Sequence, residues 1–154
     1  MKNLKLTLKA WPVITLLTIG FCFLTQFVAR FFGIDLPDQA NVELVKRYAG
    51  WNWTFVSLCT QAVIIMPALE ECVFRLPIRW LRNTVWIFIF SALFSAAHYL
   101  SQPWPDAAFL ALFFFGLAQC WLYKKTQHLW CTMLNHGLFN LTNLLLLFII
   151  PEAA

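Results

Sequence analysis

Charge is what this chain has least of. Only 12% of its 154 residues are Asp, Glu, Lys or Arg, against about 25% in an ordinary soluble domain. That shortage excludes a mostly water-exposed surface. With 61% hydrophobic residues, the composition points instead to an integral, multi-pass membrane protein built as one domain, residues 1–154, with no separate soluble part. Polar basic segments are also missing, so the net charge of +4 reflects loop residues and not a nucleic-acid surface. No C-x-x-C pair joins the five cysteines Cys22, Cys59, Cys72, Cys120 and Cys131. All lie in apolar runs and read as small buried side chains, not as disulfides or metal ligands. No small-x-small cleavage site follows the first apolar run, so Lys2, Lys5 and Lys9 ahead of Ala10–Ala29 mark a retained helix and not a signal peptide. An internal repeat is absent too, which argues against the inverted-repeat plan of common transporters.

What is there is a series of long uncharged runs: Ala10–Ala29, Tyr48–Leu69, Asn83–Pro105, Ala107–Tyr123 and Thr126–Pro151. They predict an all-α fold, a transmembrane bundle of about five spanning helices. The first connection, Arg30–Arg47, holds a short interfacial helix near Val42–Tyr48, followed by Trp51 and Trp53 at aromatic-belt positions. The second helix continues past Leu69 to about Leu81 and turns at Arg82-Asn83-Thr84, with Pro67 and Pro77 each predicting a kink or a broken turn. The third helix spans about Val85–Leu100, Ser101–Asp106 forms an outer loop, and Lys124–Gln127 an inner turn. Lys2, Lys5, Lys9, Arg75, Arg79, Arg82, Lys124 and Lys125 then share one side, against Arg30, Lys46 and Arg47 on the other. That asymmetry, which survives if Arg75 is buried, predicts a cytoplasmic N-terminus and an outer C-terminus in the cell membrane.

Against this background Leu69-Glu70-Glu71-Cys72-Val73-Phe74-Arg75 stands out, because three charges arrive at once after an uncharged run beginning at Tyr48. Burying unpaired charge in hydrocarbon costs several kcal/mol, so ionisable residues there are functional suspects. Glu71 and Arg75 stand at i,i+4 with the acid first, the favourable order for a helical pair, which leaves Glu70 as the free carboxylate. Counted from the inner turns at 1.5 Å per residue, Glu70 rises roughly 18 Å, His98 about 22 Å, His136 about 14 Å and Asn140 about 20 Å. Three helices thus bring these groups to a similar layer. His136, Asn140 and Asn143 form a stripe on one face, and Phe94 puts a ring one turn below His98. His128, beside the inner turn, reads as interfacial. Each group alone also fits helix packing; the set is harder to assign to packing.

Together these residues resemble the three motifs of the CPBP family of intramembrane proteases, which includes the type 2 CAAX prenyl endopeptidases and the bacteriocin self-immunity proteins. Its E-E-x-x-x-R, F-x-x-x-H and H-x-x-x-N motifs stand here as Glu70–Arg75, Phe94–His98 and His136–Asn140, in a core of about residues 64–143. Where the family usually has glycine after the arginine, this chain has Leu76 and Pro77. The resemblance implies a peptide hydrolase without a cofactor. Glu70 would activate water, His98 would help to hold it, and His136 and Asn140 would donate to the oxyanion. Glu71 and Arg75 would support them. The physics agrees, since a carboxylate shielded from bulk water is a stronger base and fixed donors in a water-poor pocket stabilise developing charge.

Other readings stay open. Glu70, His98 and His136 could form a two-histidine, one-carboxylate zinc site, although no H-E-x-x-H is present. The cluster could also serve packing alone, in a non-catalytic immunity or scaffold protein. The expected partners are the lipid bilayer and a peptide or protein substrate, lipidated or membrane-anchored, presented near the membrane surface.

Overall fold

The computed structural model describes residues 1–34, 36, 45, 47–50, 52–81, 83–99 and 108–149. Among them the main elements are five helices and no strand. Helix α1 (Lys2–Phe31) starts eight residues before the predicted Ala10 and runs through Lys5, Lys9 and Pro12 without a break. Lysine is a good helix former whose stem can lie along apolar surface while its ammonium reaches water, so the basic residues extend the helix. Its 30 residues reach about 45 Å, more than the ~30 Å of a hydrocarbon core.

Helix α2 (Trp53–Arg79) is capped by Asn52, whose side chain accepts from the Phe55 N–H at 2.8 Å. Trp53 stands exposed at its first residue. Its winding changes three times: α over Trp53–Thr60, π over Gln61–Ile65, α over Met66–Arg75 and 3-10 over Leu76–Arg79. Both predicted proline perturbations fall at such changes. Pro67 and Pro77 each sit at the start of a new segment, where a missing N–H disturbs the ladder least.

Helix α3 (Val85–Ala97) ends at His98, short of the predicted Leu100, and its 13 residues cover only about 20 Å. Helices α4 (Ala108–Thr126) and α5 (Leu129–Ile149) follow, joined through Gln127, which adopts a left-handed φ of 58°. By length and composition α1, α2 and α5 can each cross a membrane. The interfacial helix near 42–48, Trp51 and the outer loop at 101–106 lie largely or wholly outside the described residues.

Close approach of α3 and α4 depends on small residues. A Cβ on Gly116 would come within 3.1 Å of Ser91 Cα and Cβ, and the Ser95 hydroxyl donates to the Phe109 carbonyl at 2.6 Å. This is the usual substitute in lipid for hydrophobic driving force. Helix α1 stacks Phe21 on Phe114 of α4 at 4.3 Å, and below that contact three helices share buried amides. Gln119 donates to Asn135 at 2.8 Å, and Asn135 donates to the Thr7 carbonyl at 3.5 Å. Phe94, Phe115, Leu122 and Phe139 fill the centre. The outside carries Leu16, Leu17, Phe23 and Phe27 on α1 and Leu69 and Val73 on α2. That continuous apolar exterior would be an aggregation liability in water and suits a bilayer.

Two sequence expectations change here. None of the five cysteines is in a disulfide, but only Cys120 and Cys131 are buried and Cys72 is exposed. Arg75 is fully buried, so it is removed from the loop charges that set orientation.

Candidate active site

The buried pair came out as the i,i+4 spacing requires. Arg75 Nε lies 3.2 Å from Glu71 Oε2, with both side chains fully enclosed. The guanidinium carbon sits 4.9 Å over the centre of the Phe94 ring, whose negative face offsets part of the cost of a cation out of water. Glu71 has a second partner that the sequence did not reveal. Its Oε1 stands 3.0 Å from His136 Nδ1, so one carboxylate ties α5 to α2 while balancing Arg75.

Glu70 faces the other way. Its Oε2 lies 3.7 Å from His136 Nε2 and 4.0 Å from His98 Nε2. These separations exceed a direct hydrogen bond. Glu70 and His98 keep 18% and 23% of their side-chain surface accessible, whereas His136 keeps 3%. The site therefore has a closed back wall on α5 and an accessible front on α2 and α3.

Both imidazoles have a defined orientation. His98 Nδ1 lies 2.9 Å from the Phe94 carbonyl; a carbonyl only accepts, so Nδ1 carries the proton. The His136 Nδ1–H is directed in the same way to Glu71. In its neutral form each ring then presents an Nε2 lone pair toward Glu70. Phe94 packs against both rings, with centroids 4.8 Å from His98 and 5.8 Å from His136, and Phe115 closes on His136 at 4.9 Å. The predicted ring one turn below His98 is thus a spacer between both histidines and Arg75.

Asn140 is one helical turn from His136 on α5, and its Nδ2 donates to the Ala62 carbonyl of α2 at 2.7 Å. The amide's second N–H is not used by that bond. Between the two motif residues, Gly137 meets α2 so closely that a Cβ would fall 2.5 Å from the Val63 carbonyl oxygen. Glu70, His98 and His136 are therefore gathered at one point, and Asn140, one turn further along α5, is anchored to α2 backbone. His128 is exposed at the α4–α5 turn.

Chemically, the set offers a carboxylate base, two oriented imidazoles and an amide donor in an apolar cage. Histidines whose Nδ1–H is held by a carboxylate or carbonyl are also oriented as metal ligands are. Among the described residues, however, no group of three His, Cys, Asp or Glu side chains has metal-holding geometry.

Residues 51–142 match the model of one protein family, described as type II CAAX prenyl endopeptidase Rce1-like. The matched span contains all three motifs. No curated protein and no solved structure matches the chain.

Proposed function

This chain belongs to the type II CAAX prenyl endopeptidase Rce1-like family of membrane proteases, and from that premise we propose that it hydrolyses a peptide bond close to the membrane surface with Glu70 as the base. The observation that carries this reading is the convergence of Glu70 Oε2 with His136 Nε2 and His98 Nε2, at 3.7 and 4.0 Å, from three different helices. Glu70 takes a proton from water as the oxygen attacks the scissile carbonyl, and later gives it to the departing amine. The neutral His98 Nε2 accepts a hydrogen bond from that water and fixes its direction. His136 donates to the oxyanion through Nε2, which requires the imidazolium; because Glu71 is already matched by Arg75, that charge is balanced by the Glu70 carboxylate before attack and by the oxyanion after it. Asn140 supplies the second donor through its remaining N–H. Each oxyanion donor of this kind is worth about 10²–10³ in rate.

The family's description makes a prenylated C-terminal segment the first substrate to try, and the asymmetry of basic residues supports a cytoplasmic N-terminus and an outer C-terminus for the chain. The test uses the purified full chain in lipid nanodiscs with two fluorogenic peptides, one ending in an S-prenylated C-a-a-X sequence and one unmodified. Cleavage of the first, read by mass spectrometry, is the expected result. Intact peptides beside a folded protein would count against the substrate class.

A zinc-dependent reading is the alternative: both histidines are oriented as metal ligands are, against the lack of a metal-holding group of three among the described residues. In it Glu70, His98 and His136 would hold the ion, which would supply Lewis-acid activation of water. Activity that survives exhaustive chelation supports the glutamate mechanism; activity lost and restored only by zinc supports the metal.

A further inference from the structure

The π-helical stretch Gln61–Ile65 lies one residue ahead of Pro67, with Met66 between, and the two together leave the Ala62 carbonyl without a helical donor. At the end of the π stretch the Met66 N–H bonds to the Gln61 carbonyl, five residues back. The next donor in that register would serve the Ala62 carbonyl, but it belongs to Pro67, which has no N–H. Ala62 is where Asn140 of α5 donates, at 2.7 Å. Pro67 is itself fully buried, and at the adjoining Val63 carbonyl α5 carries Gly137, the one residue type that avoids a contact of 2.5 Å. A buried acceptor left without a donor is destabilising, so the π stretch has a standing demand for the Asn140 amide.

We infer that Pro67 is a positioning residue for the active site. By withholding a donor it frees the Ala62 carbonyl to hold the Asn140 amide in one plane, with the second N–H directed away from α2. Proline thereby acts on the reacting groups only through Asn140. Replacing it with alanine restores an N–H that can reclaim a carbonyl of the stretch, and alanine is the better helix former. A proline kept only for folding would give the opposite pattern. The inference rests on the proposed role of Asn140 in hydrolysis, and its test therefore has one arm that needs no turnover.

That arm is NMR of the ¹⁵N-asparagine-labelled full chain in micelles. The wild type should show, apart from the signal of buried Asn135, a downfield, exchange-protected side-chain amide proton that vanishes in Asn140→Asp. In Pro67→Ala the same proton should move upfield and lose at least tenfold in protection, while the unfolding temperature holds or rises. In the second arm, kcat toward the prenylated peptide should fall at least tenfold with KM changed less than twofold. An Asn140 signal unmoved in Pro67→Ala overturns the inference whatever the activity does. If the signal moves and Asn140→Ala retains full kcat, the anchor stands and the oxyanion role of Asn140 is what fails.

Discussion

Glu71 has two partners at once, Arg75 at 3.2 Å and His136 at 3.0 Å, and this double duty defines its importance. Replacing it with glutamine keeps the shape and removes the charge, leaving Arg75 enclosed without a counter-ion. Breaking one side of a buried pair costs about 3–5 kcal/mol. Glu71→Gln should therefore lower the denaturation midpoint of the purified protein and reduce turnover together; a variant with wild-type stability and activity would show that the pair supports nothing. The i,i+4 spacing made the Arg75 contact legible in the sequence. The His136 contact was not, because it depends on how α5 is rotated against α2, which a list of spacings does not contain. Glu70, His98 and His136 were legible as a set because ionisable groups in apolar runs stand out at any register.

At the scale of an element, α2 is the informative one. Pro67 and Pro77 announced two interruptions, and the helix does change winding at both. The sequence could not say that the first would be a π stretch offering a backbone carbonyl to Asn140, since a carbonyl carries no residue identity. Gly137 was invisible for the same reason: what it makes room for is main chain, the Val63 oxygen. Gly137→Ala forces α5 away from α2 and should destabilise by about 1–3 kcal/mol, the usual cost of overpacking. Gly20→Ala in α1, where nothing lies within 4 Å, should be neutral or up to about 1 kcal/mol stabilising. Parallel thermal unfolding of the two variants checks both, and equal midpoints would contradict the close α2–α5 approach. Helix α3 shows the limit of reading runs of uncharged residues. The apolar run continues past His98, but the helix itself stops there.

At the scale of the whole molecule, the bundle holds one accessible carboxylate among the described residues, Glu70, against a closed back wall. Low charge and long apolar runs were enough to read an all-α membrane fold, because burial in lipid leaves helices as the simplest way to satisfy the backbone. Which helices touch was not readable. Helix α1 lies outside the span matched by the family model, yet the Asn135–Thr7 contact and the Phe21–Phe114 stack join it to the helices that carry the site. The whole arrangement converges on Glu70, so the most direct measurement is peptide cleavage by purified Glu70→Gln beside the wild type in the same nanodiscs. Loss of a general base predicts a fall in kcat of about 10²–10⁴-fold, with the fold intact because Glu70 is only partly enclosed and the fully buried Arg75 keeps its own partner, Glu71. Cleavage at the wild-type rate by Glu70→Gln would remove the proposed base and contradict the account.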